Sequence, residues 1–124
     1  MNGEKARAYA EHWIADWCRR DIESIVSHYA DDATFVSPIA AKRTGNPIVT
    51  GRAALTAYWS FARSIEIFEF KLDHTVWDEE QLELVIIYTR NIDGRRDRAC
   101  EIVHFNADGL ISHGEAMYGI ELPS

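Results

Sequence analysis

Asp21–Pro38, DIESIVSHYADDATFVSP, is the stretch on which the reading of this chain turns. Ile22, Ile25, Val26 and Tyr29 recur at helical spacing, so one face of a short helix is apolar and must pack on something. Asp21 is placed to cap that helix, with Ser24 where a capping box would carry Glu. Asp31-Asp32 is read as the break after it. Ala33–Ser37 then suits a short strand, ended by Pro38, which cannot donate to a ladder.

Upstream, Ala6, Tyr9, Ala10, Trp13, Ile14 and Trp17 recur every three or four positions between Glu4 and about Arg20, while Glu4, Lys5, Glu11, Asp16 and Arg19 fall elsewhere. This predicts an amphipathic helix with Trp13 and Trp17 one turn apart on its buried face. Downstream, IAAKRTGNPIVT carries Gly45, Asn46 and Pro47 as turn signals and reads as a loop, placed to act as a lid. Gly51-Arg52 opens a third helix to about Arg63, with Leu55, Tyr58, Trp59 and Ala62 on one face.

From Ile65 the period switches to two. IEIFEFKLDHTVW, QLELVIIYTRNI, RRDRACEIVHF and GLISHGEAMYGIE read as four strands separated by DEE, Asp93-Gly94 and NADG. Asp-Gly is a strong hairpin signal. Helices followed by a run of antiparallel strands predict an α+β arrangement, with the helices on one face of a curved sheet. No linker or internal repeat divides residues 1–124, so one domain is expected.

Composition narrows the partners. Thirteen Lys+Arg against twenty Asp+Glu give a formal charge of -7, the wrong sign for nucleic acid or an anionic membrane as main partner. Arg95, Arg96 and Arg98, at a hairpin tip, read as a solvated charge run. The N-terminal MNGEKARAYAEHW lacks the apolar core of a signal peptide, and no apolar run approaches the roughly 20 residues of a membrane helix, so a cytoplasmic protein is expected. Cys18 and Cys100 are isolated, with no metal or redox spacing, and no cofactor is expected.

Hairpin geometry assigns the sheet faces, because opposed residues share a face. With Asp93-Gly94 central, Ile86 opposes Glu101, Tyr88 opposes Ala99 and Arg90 opposes Asp97. With NADG as the next loop, Phe105 opposes Leu110, and Glu101 opposes Gly114. One face then holds Tyr88, Glu101, Gly114, Ala116 and Tyr118. The other holds Ile87, Cys100, Ile102, His104, Ile111, His113, Glu115 and Met117. On that outer face His104 and His113 are diagonal neighbours, read as polar residues of a homodimer interface in preference to a metal site. Strand Gln81–Ile92 is apolar on both faces, which again calls for a second subunit over the outer one.

On the first face a carboxylate, Glu101, stands beside Gly114 and Ala116, residues small enough to leave a cavity. Trp13, Trp17, Tyr29, Phe35, Tyr58 and Trp59 would wall it, making an apolar concavity suited to a small, largely apolar organic ligand. There Glu101 should hold its proton near neutral pH and donate a hydrogen bond to a developing oxyanion. Arg90, Asp97 and Glu101 share this face, and a cross-strand Arg90–Asp97 ion pair is the reading preferred to a catalytic Asp-Arg-Asp-type site.

A helix carrying tryptophan, then D-I-E-x-I-V-x-x-Y-A-D-D-A-T, a residue and proline, and later G-R before another helix, resembles the SnoaL-like members of the nuclear transport factor 2-like superfamily. The resemblance implies a cone-shaped fold, three N-terminal helices on a curved, mainly antiparallel sheet, and a homodimer. The related steroid delta-isomerases imply roles residue by residue. Their oxyanion-hole acid matches Glu101, their oxyanion-hole tyrosine matches Trp13, and their two supporting tyrosines match Tyr29 and Trp59. Their aspartate base matches Ser37, which cannot abstract a carbon-acid proton unaided. The carboxylate and histidine of SnoaL-like cyclases match Ala116 and Gly114, so both are missing. The expectation is acid-base chemistry of the isomerase, cyclase or hydratase type, with Glu101 as acid or base, Trp13 as donor, and Tyr29, Tyr88 and Ser37 as positioning groups. The alternative is a non-catalytic ligand-binding or dimeric scaffold module.

Overall fold

A computed structural model describes residues 1–123. Helix α1 (Gly3–Arg19) is capped by Asn2, whose side chain accepts from the Lys5 N–H, and α2 (Ile22–Ser27) is capped by Asp21, which accepts from the Ser24 N–H. Asp16 departs from its expected place on the polar face of α1. It is buried, accepts a 2.9 Å hydrogen bond from the Ser24 hydroxyl and pairs with Arg19, while its backbone carbonyl accepts from the Asp21 N–H. Ser24 therefore ties α2 to α1 instead of closing a capping box.

Strand β1 spans Tyr29–Val36, earlier than the acidic break suggested. Asp31 and Asp32 lie inside it, exposed, where the ladder to its neighbour is interrupted between Tyr29 and Thr34. Where a loop was expected there is a further helix, α3 (Pro38–Thr44), and then β2 (Ile48–Thr50). Ser37 caps α3 and Pro38 opens it, a pairing that suits a helix start because proline lacks the N–H that would go unused there. Helix α4 (Arg52–Trp59) passes into a 3-10 turn, Ser60–Ser64. Four helices thus precede the long strands, where three were expected.

The strands β3 (Phe68–Asp78), β4 (Glu83–Ile92), β5 (Arg95–Phe105) and β6 (Ile111–Glu121) complete a six-stranded curved sheet of order β2-β1-β6-β5-β4-β3. Among the described residues only β1 and β6 run parallel, and the sheet is open, with β2 and β3 at its edges. Asp93 and Gly94 both take positive φ, 52° and 93°, as a tight two-residue hairpin turn requires, and the predicted pairing follows: Ile86 with Glu101, Tyr88 with Ala99, Arg90 with Asp97.

The second hairpin differs from expectation by two residues. Phe105 pairs with Ile111, one residue beyond the expected Leu110, and an extra residue at Ser112 in β6 adds the second step, so that His104 pairs with His113, Val103 with Gly114 and Glu101 with Ala116. The one-residue offset at Phe105 sends Ile111 into the core and turns Ser112 outward, reversing both expected facings, and the bulge restores the expected facing from His113 onward. It also sets His104 directly opposite His113, ring centroids 6.1 Å apart, rather than diagonal to it.

The helices cover the inner sheet face. Trp13 of α1 stacks on Phe70 at 5.7 Å between centroids and Trp17 on Phe68 at 5.8 Å, so period-two aromatics of β3 meet period-3.6 aromatics of α1. Each large buried side chain of this kind contributes about 1.5–3 kcal/mol through removal from water.

Candidate active site

Between the helices and the inner sheet face lies a cavity of about 210 Å³. Glu101, Trp13, Tyr88, Trp59, Trp17, Phe35, Tyr58 and Tyr118 are among the residues that line it. Strand register orders this space along β5. Glu101 stands level with Ile86 and Ala116, Ala99 with Tyr88 and Tyr118, Asp97 with Arg90, and Arg95 with Ile92. The cavity therefore runs from Glu101 toward the β4–β5 turn, where Arg90 and Arg95 form its outer end.

Glu101 is 4% exposed, and its Oε2 is enclosed with no hydrogen-bond partner, as are Trp13 Nε1 and Tyr29 Oη. Burial pushes the carboxyl up to about 8, since the charged form loses its hydration, while the neighbouring Trp13 N–H and Tyr29 O–H oppose that rise without closing a hydrogen bond of regular geometry. At neutral pH the group is mainly the neutral acid. The same burial, reinforced by Glu101, holds the Tyr29 and Tyr88 phenols well above their ordinary range, so both stay protonated.

Four residues expected at the cavity wall stand behind it. A Cβ at Gly114 would lie 3.0 Å from Phe35 Cδ1 and 3.5 Å from Tyr29 Oη, so the space beside this glycine is already filled by those two rings. Tyr29 accordingly sits behind the lining. Ala116 is buried next to Glu101 on the adjacent strand. Ser37, fully buried, caps α3 and shares a 2.8 Å hydrogen bond with the hydroxyl of Tyr58, so it shapes the wall through that residue rather than bonding only to backbone.

Other lining residues escaped the sequence reading. Phe68 and Phe70 line the space from β3, and their alternation in FEFKL was the available signal. Ile39 comes from α3, which had been read as a loop, and Phe61 from the 3-10 turn, where the expected helix to about Arg63 had placed Ala62 and not Phe61 on the apolar face. Arg95, 57% exposed at the hairpin tip as expected, also borders the cavity. Arg90 does form the expected cross-strand pair with Asp97, through two 2.8 Å hydrogen bonds, and its guanidinium also lies 3.8 Å above the ring of Tyr118.

The chain with this helix-covered open sheet belongs to the SnoaL-like domain family, whose sequence model matches residues 10–114. Its fold is similar to that of a SnoaL-like protein of unknown function from Burkholderia thailandensis, at 27% identity, TM-score 0.86, covering 96% of this chain and 98% of that one. It is also similar to a protein of unknown function with a cystatin-like fold from Methylobium petroleophilum, at 23% identity and TM-score 0.74, covering 94% and 80%. A candidate ketosteroid isomerase from Kribbella flavida shares the fold at 17% identity and TM-score 0.72, covering 98% and 83%. No curated protein matches the chain in sequence. No helix among the described residues is long and apolar enough to cross a membrane.

Proposed function

We propose that the chain binds a small, largely apolar organic molecule in the inner cavity and acts on it by acid-base chemistry of the isomerase, cyclase or hydratase type. One observation carries this reading: the Glu101 carboxyl, pushed up to about 8 by burial, lines an aromatic cavity as a neutral acid. A neutral carboxylic acid donates to a carbonyl or enolate oxygen of a bound ligand, and the surrounding rings keep water from competing. Trp13 is the second donor, since its indole N–H is buried without a partner beside Glu101. Tyr29 and Tyr88 position this pair, and Ser37 positions Tyr58. The cavity is smaller than the roughly 300–1,000 Å³ of drug-sized ligand sites, which favours a ligand of one or two rings.

The test is binding of planar phenols, as enolate mimics, to wild type and to Glu101→Gln, read by tryptophan fluorescence below pH 8. Wild-type affinity should vary with phenol acidity and fall about tenfold or more in the variant. Equal affinity in both proteins would remove Glu101 from the site.

A second reading has its own observation. Ser37 occupies the place of the isomerase base and its hydroxyl is already engaged with Tyr58, which favours a carrier or scaffold role without turnover. In either reading we propose a homodimer through the outer sheet face, where Val85, Ile87 and Ile102 are half-buried and Met117 is 46% exposed.

A further inference from the structure

The two ends of the cavity differ in charge. At the inner end is the buried Glu101 acid, and at the outer end are Arg90 and Arg95. We propose that the ligand is itself a small acid: an apolar ring body with an oxygen function against Glu101 and a carboxylate at the outer end, met by Arg95 and Arg90. This rests on the reading of the cavity as a ligand site and narrows its substrate class.

The donor inventory supports an anion. Asp97, 3% exposed, takes two of the five N–H groups of Arg90, leaving three on a guanidinium that lines the cavity. Arg95 makes no short ion pair. Its Nε is 3.9 Å from Asp97, its Nη1 is 3.5 Å from Glu121, and its side chain is 57% exposed. One buried carboxylate thus serves two guanidiniums, and Glu121, 60% exposed, is the remaining acid in contact with them. Beyond these two, Arg43 lies 4.5 Å above the ring of the lining residue Phe61. This cationic rim occurs on a chain of formal charge -7, so it is a local departure from the overall field.

The spacing fits such a ligand. Glu101 and Asp97 are four residues apart on β5, roughly 13 Å at strand rise, and the long arginine side chains reach back along that distance. One ring with a short tether to a carboxylate spans the remainder. A planar guanidinium offers that carboxylate two parallel N–H bonds, a match an ammonium group lacks.

The probes are 3-(4-hydroxyphenyl)propanoate and its carboxamide, which share the phenol, ring and tether, the amide replacing the charged acceptor oxygen by a neutral NH2. Calorimetric titrations at pH 6.5 keep Glu101 and the phenol neutral and the carboxylate ionised. The acid should bind about tenfold tighter than the amide in low salt, and the preference should shrink several-fold in 0.5 M salt and in Arg95→Gln, an exposed site whose replacement leaves the Arg90–Asp97 pair in place. Equal binding of acid and amide would overturn the carboxylate assignment and leave the cavity reading standing. An acid preference undiminished in Arg95→Gln would also overturn the assignment of the rim. Binding of neither probe would overturn both.

Discussion

The hydroxyls of Ser37 and Tyr58 stand 2.8 Å apart, joining the cap of α3 to a wall of the cavity. Ser37→Ala should lose about 1–2 kcal/mol, combining the lost cap with the unpaired tyrosine hydroxyl. A double-mutant cycle with Tyr58→Phe, followed by urea unfolding, should give a coupling of about 0.5–1.5 kcal/mol. A coupling near zero would mean that the bond does not persist in solution.

Stability should depend on pH through Glu101. Below its ordinary value of 4.5 the carboxyl is protonated folded and unfolded and contributes nothing. Between 4.5 and about 8 the unfolded chain ionises while the folded chain keeps its proton, so stability falls as pH rises. Above about 8 both states are ionised and the loss is complete, on the order of 5 kcal/mol. Glu101→Gln should flatten this slope in unfolding curves taken from pH 5 to 9. A wild-type curve parallel to that of the variant would rule the effect out.

Gly114→Ala should destabilise by about 1–3 kcal/mol, because its Cβ would press at 3.0 Å on a ring carbon of the buried Phe35 and displace that ring from its packing. Phe35 also lines the cavity, so phenol affinity should change with it. Denaturant midpoint and binding isotherm together check this, and an unchanged midpoint would show that the ring moves freely.

Asp97→Ala should be the costlier change, about 3–5 kcal/mol, since it leaves the Arg90 guanidinium largely enclosed without its carboxylate. Thermal unfolding of the variant provides the measurement. A loss below 1 kcal/mol would indicate that Arg90 swings out to water.

The parts of this fold that were legible in the sequence are those fixed by local chemistry. Asp93-Gly94 can form one tight turn, so the β4–β5 pairing and the inward facing of Glu101 followed by counting. The β5–β6 register did not, because the NADG connection closes one residue later than counted, on Phe105–Ile111, and the extra residue at Ser112 has no signature such as glycine or proline. The inward set from Gly114 to Tyr118 survived the error only because the slip was two residues and the side-chain period is two. Helix α3 was missed although Ser37-Pro38 is a helix-start pair, because the Gly45-Asn46-Pro47 signals dominated a segment only seven residues long. For the cavity, which aromatics meet depends on how α1 lies on β3. Trp13 and Trp17 were readable as an inward pair, but their partners Phe70 and Phe68 were not.

The most direct test of the account is the titration of Glu101 itself, followed by carboxyl carbon-13 NMR on glutamate-labelled protein, with Glu101→Gln to assign the signal. The midpoint should lie near 8, with the neutral acid predominating at pH 7. A midpoint near 4.5 would contradict it, because Glu101 would then be an ordinary carboxylate with no proton to donate at neutral pH.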